Sequence, residues 1–163
     1  MPLGSVEPGV VLPRPCWPDI LRQTVVEVFA VMVRATVSEA SDGGVVEGAE
    51  VTGIVGIGGA IRANLIIRCS HGATARLASQ MLGIAPDDPD SEKAACDALG
   101  EICNIVAGYF KAKIGLGDAC KLSVPMIVTG KEYRFRSAQT YERLELPVAY
   151  ESEVMRITLE IAR

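Results

Sequence analysis

The chain has 163 residues, 49% of them apolar, 22% charged and only 5% aromatic, with a formal net charge of −4. That length suits one globular domain whose core is built from Val, Ile, Leu and Ala rather than from rings. Scattered Lys and Arg on an acidic chain argue against nucleic acid as a partner; no apolar run approaches the ~20 residues of a membrane span, and no basic-then-apolar leader is seen, so a cytoplasmic protein is expected.

Residues 1–18 contain Pro2, Pro8, Pro13, Pro15 and Pro18, a density incompatible with helix or central strand, so this segment reads as a flexible or extended lead-in. The domain proper is expected over 19–163. From Asp19 the pattern turns helical, with Ile20, Leu21, Val25, Val28, Phe29 and Met32 at steps of three and four and Pro18 suited to a first-turn position. Residues 33–69 are rich in β-branched side chains. Gly58-Gly59 separates Val51-Thr-Gly-Ile-Val-Gly-Ile57 from Ala60-Ile-Arg-Ala-Asn-Leu-Ile-Ile67, a hairpin signal. Ser70 reads as an N-cap for a short helix over 73–82 that Gly83 stops, and Ser91 opens a second long helix running to about Lys113. Beyond it, strands are expected near 119–129, 141–150 and 153–161; in the last, Val154, Arg156, Thr158 and Glu160 alternate with Met155, Ile157, Leu159 and Ile161.

The reactive side chains are few. Cys16, Cys69, Cys96, Cys103 and Cys120 are odd in number, with no Cys-x-x-Cys, which disfavours disulfides and a zinc site; they read as buried small hydrophobes. His71, the single histidine, sits where a helix starts and is expected to meet solvent.

The second long helix carries the informative pattern. Leu99, Ile102, Cys103, Val106, Tyr109 and Phe110 form a wide apolar sector, while Asp97, Glu101, Asn104 and Gly108 recur at steps of four, three and four on the other side. An ordinary solvent face would carry strong helix formers such as Lys, Gln and Arg. Here Gly100, Asn104 and Gly108 weaken the helix, each glycine by roughly 1 kcal/mol relative to Ala, and leave a strip that another protein's backbone can approach closely. Asp97, Gly100 and Gly108 are therefore candidate partner-binding positions. Read alone, Asp97 and Glu101 are equally compatible with solvation, and Asn104 with satisfying a neighbouring backbone group. Laying Gln23 on Asp97 superposes Glu27 on Glu101, Ala30 on Asn104 and Arg34 on Gly108, which raises an internal duplication.

Asp97, Glu101 and Asn104, followed after twenty intervening residues by Pro125, resemble the signature of the CheC and CheX phosphatases of bacterial chemotaxis: Asp or Ser, then Glu, then Asn, then a more distant Pro. The likeness extends to Leu122-Ser-Val-Pro-Met-Ile-Val128, Thr52-Gly-Ile-Val-Gly-Ile57 and Leu77-Ala-Ser-Gln-Met-Leu-Gly83, and covers about residues 19–161. It implies a CheC-like α+β fold with an internal duplication, its largely antiparallel sheet covered by two long pseudo-symmetric helices. It implies hydrolysis of the aspartyl phosphate on a phosphorylated, CheY-like receiver domain, with Glu101 and Asn104 as the catalytic pair: Asn104 orienting water, Glu101 gripping the receiver's lysine. No cofactor of its own is implied; a divalent metal such as Mg would come with the receiver, and the chain would form a homodimer. Ala30 replaces the asparagine of the first stripe, so one active face per chain is expected, and Pro125 stands a residue or two off the usual spacing. Two other readings stand beside this one: a non-catalytic adaptor docking on a receiver or on a flagellar or sensory partner, and a thiol enzyme using Cys103.

Overall fold

The computed structural model describes residues 10–41, 50–130 and 139–163. Residues 1–9 of the lead-in and 42–49 of the β-branched stretch lie outside these.

The described part of the lead-in is tied down. Leu12 N–H donates to Ile114 O at 2.8 Å, and the Trp17 indole N–H donates to Leu12 O at 2.9 Å. After a 3-10 turn at Arg14–Cys16, helix α1 runs Trp17–Val28 with proline in its first turn. It starts before Asp19 because Trp17 itself is a core anchor, 1% exposed and edge-on to Phe110 at 5.7 Å. The helix continues without a break as a wider, π-helical turn over Phe29–Val33 and ends on Arg34 in the left-handed region, so the helical run extends from Trp17 to Val33. Helix α2, His71–Leu82, is capped by Ser70, whose hydroxyl accepts from Ala73 N–H, and closed by Gly83 at φ 68°. Helix α3, Ser91–Lys113, has 23 residues and is the second of the two expected long helices.

Among the described residues seven strands form one sheet: β1 Ser38–Glu39, β2 Glu50–Gly59, β3 Arg62–Ser70, β4 Cys120–Leu122, β5 Met126–Gly130, β6 Tyr141–Tyr150 and β7 Glu153–Ala162. Their order is β1-β6-β7-β3-β2-β4, with β5 also on β2, and every pairing is antiparallel. With β4, which has no counterpart, left aside, exchanging β1, β2 and β3 with β5, β6 and β7 returns the same order read from the opposite edge. The alternation predicted for β7 holds: Met155, Ile157, Leu159 and Ile161 are at most 1% exposed. They join Leu65, Ile67, Val55 and the inward sides of α1, α2 and α3 in one core. Burying alternate positions under helices on one face is what a period of two dictates.

The β2–β3 bend falls at Ala60 and Ile61 rather than at the glycines before it. Gly59 ends β2 at φ 141°, where a Cβ would lie 2.2 Å from Ala119 O, so it serves the close approach of the segment leading into β4. Two of the cysteines depart from the expected burial: Cys16 is exposed and Cys96 half-buried. The strand expected over 119–129 is two strands, with an interruption that bears on the site.

Candidate functional site

At about 100° per residue, Asp97, Glu101, Asn104 and Gly108 fall within a sector of roughly 60° on α3. Glu101 and Asp97 are exposed, and Asn104 and Gly108 half-buried. Gly100 is buried: a Cβ placed there would meet Pro125 Cβ at 3.5 Å and Ile127 Cδ1 at 3.8 Å, so it faces the sheet edge rather than solvent. At Gly108 the nearest atom is Leu122 Cδ1, at 3.7 Å. Gly100, Asn104 and Gly108 follow one another at steps of four along one side of the helix. The edge segment runs beside them in the opposite direction, Pro125 at Gly100 and Leu122 at Gly108, so Asn104 lies along the helix between these two approaches.

That part of the edge is a bulge. Ile57 pairs with Leu122 and Ile54 with Met126. Val55 and Gly56 on β2 therefore oppose Ser123, Val124 and Pro125, one residue more. Proline has no N–H for the ladder, and bulges are where a sheet edge accepts it. Ser123 fixes the distortion: its N–H donates to Gly56 O at 2.9 Å, and its hydroxyl accepts from Gly56 N–H at 2.8 Å. The same hydroxyl lies 3.2 Å from Val124 O. Val124 is 86% exposed.

Behind the site, α3 sits unusually close to β2. A Cβ at Gly53 would lie 2.5 Å from Cys103 Sγ and 3.2 Å from Leu99 Cγ, so only glycine allows this approach. The helix carrying Glu101 and Asn104 is thereby seated on a fixed surface. Its end is held too: Lys111 Nζ donates to Gly117 O and Cys120 O, and Lys113 pairs with Glu27 of α1.

The polar residues of the stripe differ in engagement. Asp97 is paired with Lys93 at 2.9 Å, an i,i+4 surface pair. Among the described residues, Glu101 and Asn104 make no side-chain hydrogen bond or ion pair, so Asn104 is not spent on a neighbouring backbone group. A carboxylate and an amide one helical turn apart, uncommitted and backed by a rigid core, can bind a cation and place a water.

The thiol alternative fails on chemistry: Cys103 is 0% exposed, and burial pushes its thiol up to about 12 from 9.0, the opposite of nucleophile activation. Tyr109, placed by periodicity in the apolar sector, is 53% exposed; it follows Glu101 and half-buried Ile105 at steps of four, on the margin where α3 meets solvent. His71 is exposed in the first turn of α2. Among the described residues no three His, Cys, Asp or Glu side chains are grouped to hold a metal ion, and no helix is long and apolar enough to cross a membrane. On the first helical run, Glu27 of α1 is taken by Lys113, and exposed Ala30, in the turn that continues α1, offers no amide.

Sequence reasoning did not single out Gly53, Ser123 or Val124. Gly53 had a signal, since a glycine inside an alternating strand marks close backbone approach. The bulge had a weaker one in Ser-Val-Pro, but its register depends on β2, which is distant in sequence.

The family described as "Chemotaxis phosphatase CheX" matches residues 51–149. No curated protein sequence matches the chain. Among solved structures, the chemotaxis protein CheX from Vibrio vulnificus superposes with a TM-score of 0.73 at 21% identity, over 89% of this chain and 95% of that one. The CheX protein from Desulfovibrio desulfuricans gives 0.73 at 15% identity, over 89% and 98%. A CheX-CheY-BeF3-Mg2+ complex from Borrelia burgdorferi gives 0.71 at 18% identity, over 90% and 98%.

Proposed function

The chain belongs to the CheX family of chemotaxis phosphatases, and from that premise we propose that it accelerates hydrolysis of the aspartyl phosphate on a CheY-like receiver domain, with Asn104 orienting the attacking water and Glu101 holding the receiver. The reading rests on one observation above the others: Glu101 and Asn104 are the stripe's two polar side chains that remain uncommitted, one turn apart on a helix that Gly53 seats against the sheet. A relative of the same fold has been solved with CheY, BeF3 and Mg2+, which supports a receiver as the partner.

The chemistry asks little of this chain beyond placement. Water attacks phosphorus, the bond from phosphorus to the receiver's aspartyl oxygen breaks, and inorganic phosphate leaves with the carboxylate restored. Phosphoryl transfer is governed by alignment and charge neutralisation. The Asn104 amide, with one acceptor and two donor positions, holds the water in line; Glu101 accepts from the receiver's lysine ammonium. Neither residue becomes covalently attached. A positioned hydrogen-bonding group of this kind is worth roughly 10²–10³ in rate. Any divalent metal belongs to the receiver's side of the interface. Asp97, bound to Lys93, contributes negative charge at the margin; Gly100 and Gly108 set how closely the edge strand lies on α3. Pairing of two copies, suggested by the strand-rich segments, is part of the proposal and is read from the mass in solution.

Phosphate release from a panel of phosphorylated receiver domains tests the reading. At least one receiver should lose phosphate faster with the protein than without it. Binding with no acceleration on any receiver would make the chain an adaptor, and neither binding nor acceleration would remove the receiver as its partner.

A further inference from the structure

We propose that the bulge at Ser123, Val124 and Pro125 is a preformed docking lip for the receiver, with Val124 as the apolar contact that sets affinity beside Asn104. This rests on the reading of Asn104 given above and adds a residue and a role that the stripe does not contain.

Three observations converge on it. Val124 is the most exposed of the large apolar side chains among the described residues, at 86%, and it stands on a segment that the extra residue pushes out of the β2 ladder. The segment is held rather than loose. Ser123 uses its backbone N–H and its hydroxyl on Gly56, and proline fixes its own φ. Finally, the contacts of Gly100 with Pro125 and of Gly108 with Leu122 put the lip alongside Asn104. Asparagine is short, so a phosphorus atom within reach of a water held by Asn104 requires the partner's backbone to come close to α3. A partner that close also covers Val124. A prepositioned contact costs little ordering entropy on binding, which favours affinity over turnover as the quantity it sets. Met126, 61% exposed, pairs with Ile54 just beyond the bulge and extends the same apolar edge.

The test is a KM-against-kcat comparison on whichever phosphorylated receiver the wild-type protein dephosphorylates fastest. Val124→Asp should raise KM about tenfold or more, since one lost apolar contact with a desolvated charge in its place exceeds 1.4 kcal/mol, while kcat stays within about twofold. Val124→Ala should move KM the same way by less, and it carries the test if the aspartate variant does not fold. Leu82→Asp, an equally polar change at an exposed leucine on α2, should leave both constants unchanged. An unchanged KM in both Val124 variants, or a loss confined to kcat, overturns the docking role and leaves the Asn104 reading intact. No acceleration by wild-type protein on any receiver overturns that reading and removes the lip's occupant with it.

Discussion

Replacing Gly53 with alanine puts the seating of α3 to a quantitative test. The added Cβ would sit 2.5 Å from Cys103 Sγ and 3.2 Å from Leu99 Cγ, whereas non-bonded heavy atoms settle at about 3.5–4.0 Å. Cys103 and Leu99 are both 0% exposed, so neither can swing into solvent, and relief requires α3 to lift by about 1 Å or the core to distort. Overpacking of this kind costs about 1–3 kcal/mol, which for a chain of this size lowers the melting temperature by about 2–12 °C. The same displacement carries Asn104 off line, and a ~1 Å misplacement is worth on the order of 10²-fold in rate. Calorimetry and phosphate release on Gly53→Ala, Cys103→Ala and the double variant read this directly. Removing the sulfur makes room for the new methyl, so the double variant should be less destabilised than the two single losses combined, by about 0.5–3 kcal/mol. Strict additivity, or a Gly53→Ala protein as stable as wild type, would refute the close-approach account.

Three further outcomes are expected. Burial raises the Cys103 thiol from 9.0 to about 12, and burial first, then the nearby Glu151 charge, raises the Tyr150 phenol from 10.0 to about 12. The folded chain thus keeps protons that the unfolded chain gives up between these values. Stability should therefore be full below pH 9 and fall as pH climbs toward 12, seen as a lower urea midpoint at pH 10.5 than at pH 8; equal midpoints would count against it. Glu101→Ala should weaken binding to the phosphorylated receiver about tenfold and flatten its salt dependence, checked by titration at two ionic strengths, whereas unchanged affinity would remove Glu101 from the interface. Ser70→Ala, which deletes the N-cap bond to Ala73, should cost about 1 kcal/mol in chemical denaturation with no effect on KM.

Much of the fold was written in local patterns. The Ser70 cap, the Gly83 stop, the limits of α3 and the alternation along β7 each follow from a signal confined to one element, so they survive assembly. What was missed depends on partners far along the chain. Trp17 starts α1 early because Leu12 and Phe110 receive it, and Tyr109 is exposed because of where α3 lies on the sheet, which its own periodicity cannot state. Gly58-Gly59 marked the hairpin correctly, but the bend moved to Ala60 and Ile61 because Gly59 is needed beneath Ala119. The stripe shows the same division. Its four positions and their common side were legible from spacing, while the inward position of Gly100, the Lys93 partner of Asp97 and the bulge facing Asn104 came only with the edge strand in place. The spacing alone carried no reaction; that came with the family resemblance.

The most direct measurement is single-turnover phosphate release from the receiver bound to Asn104→Ala, compared with wild type at saturating protein. If Asn104 places the water, the variant should bind the phosphorylated receiver with unchanged affinity and release phosphate about 10²–10³-fold more slowly than wild type. Release at the wild-type rate from the bound variant would contradict the account.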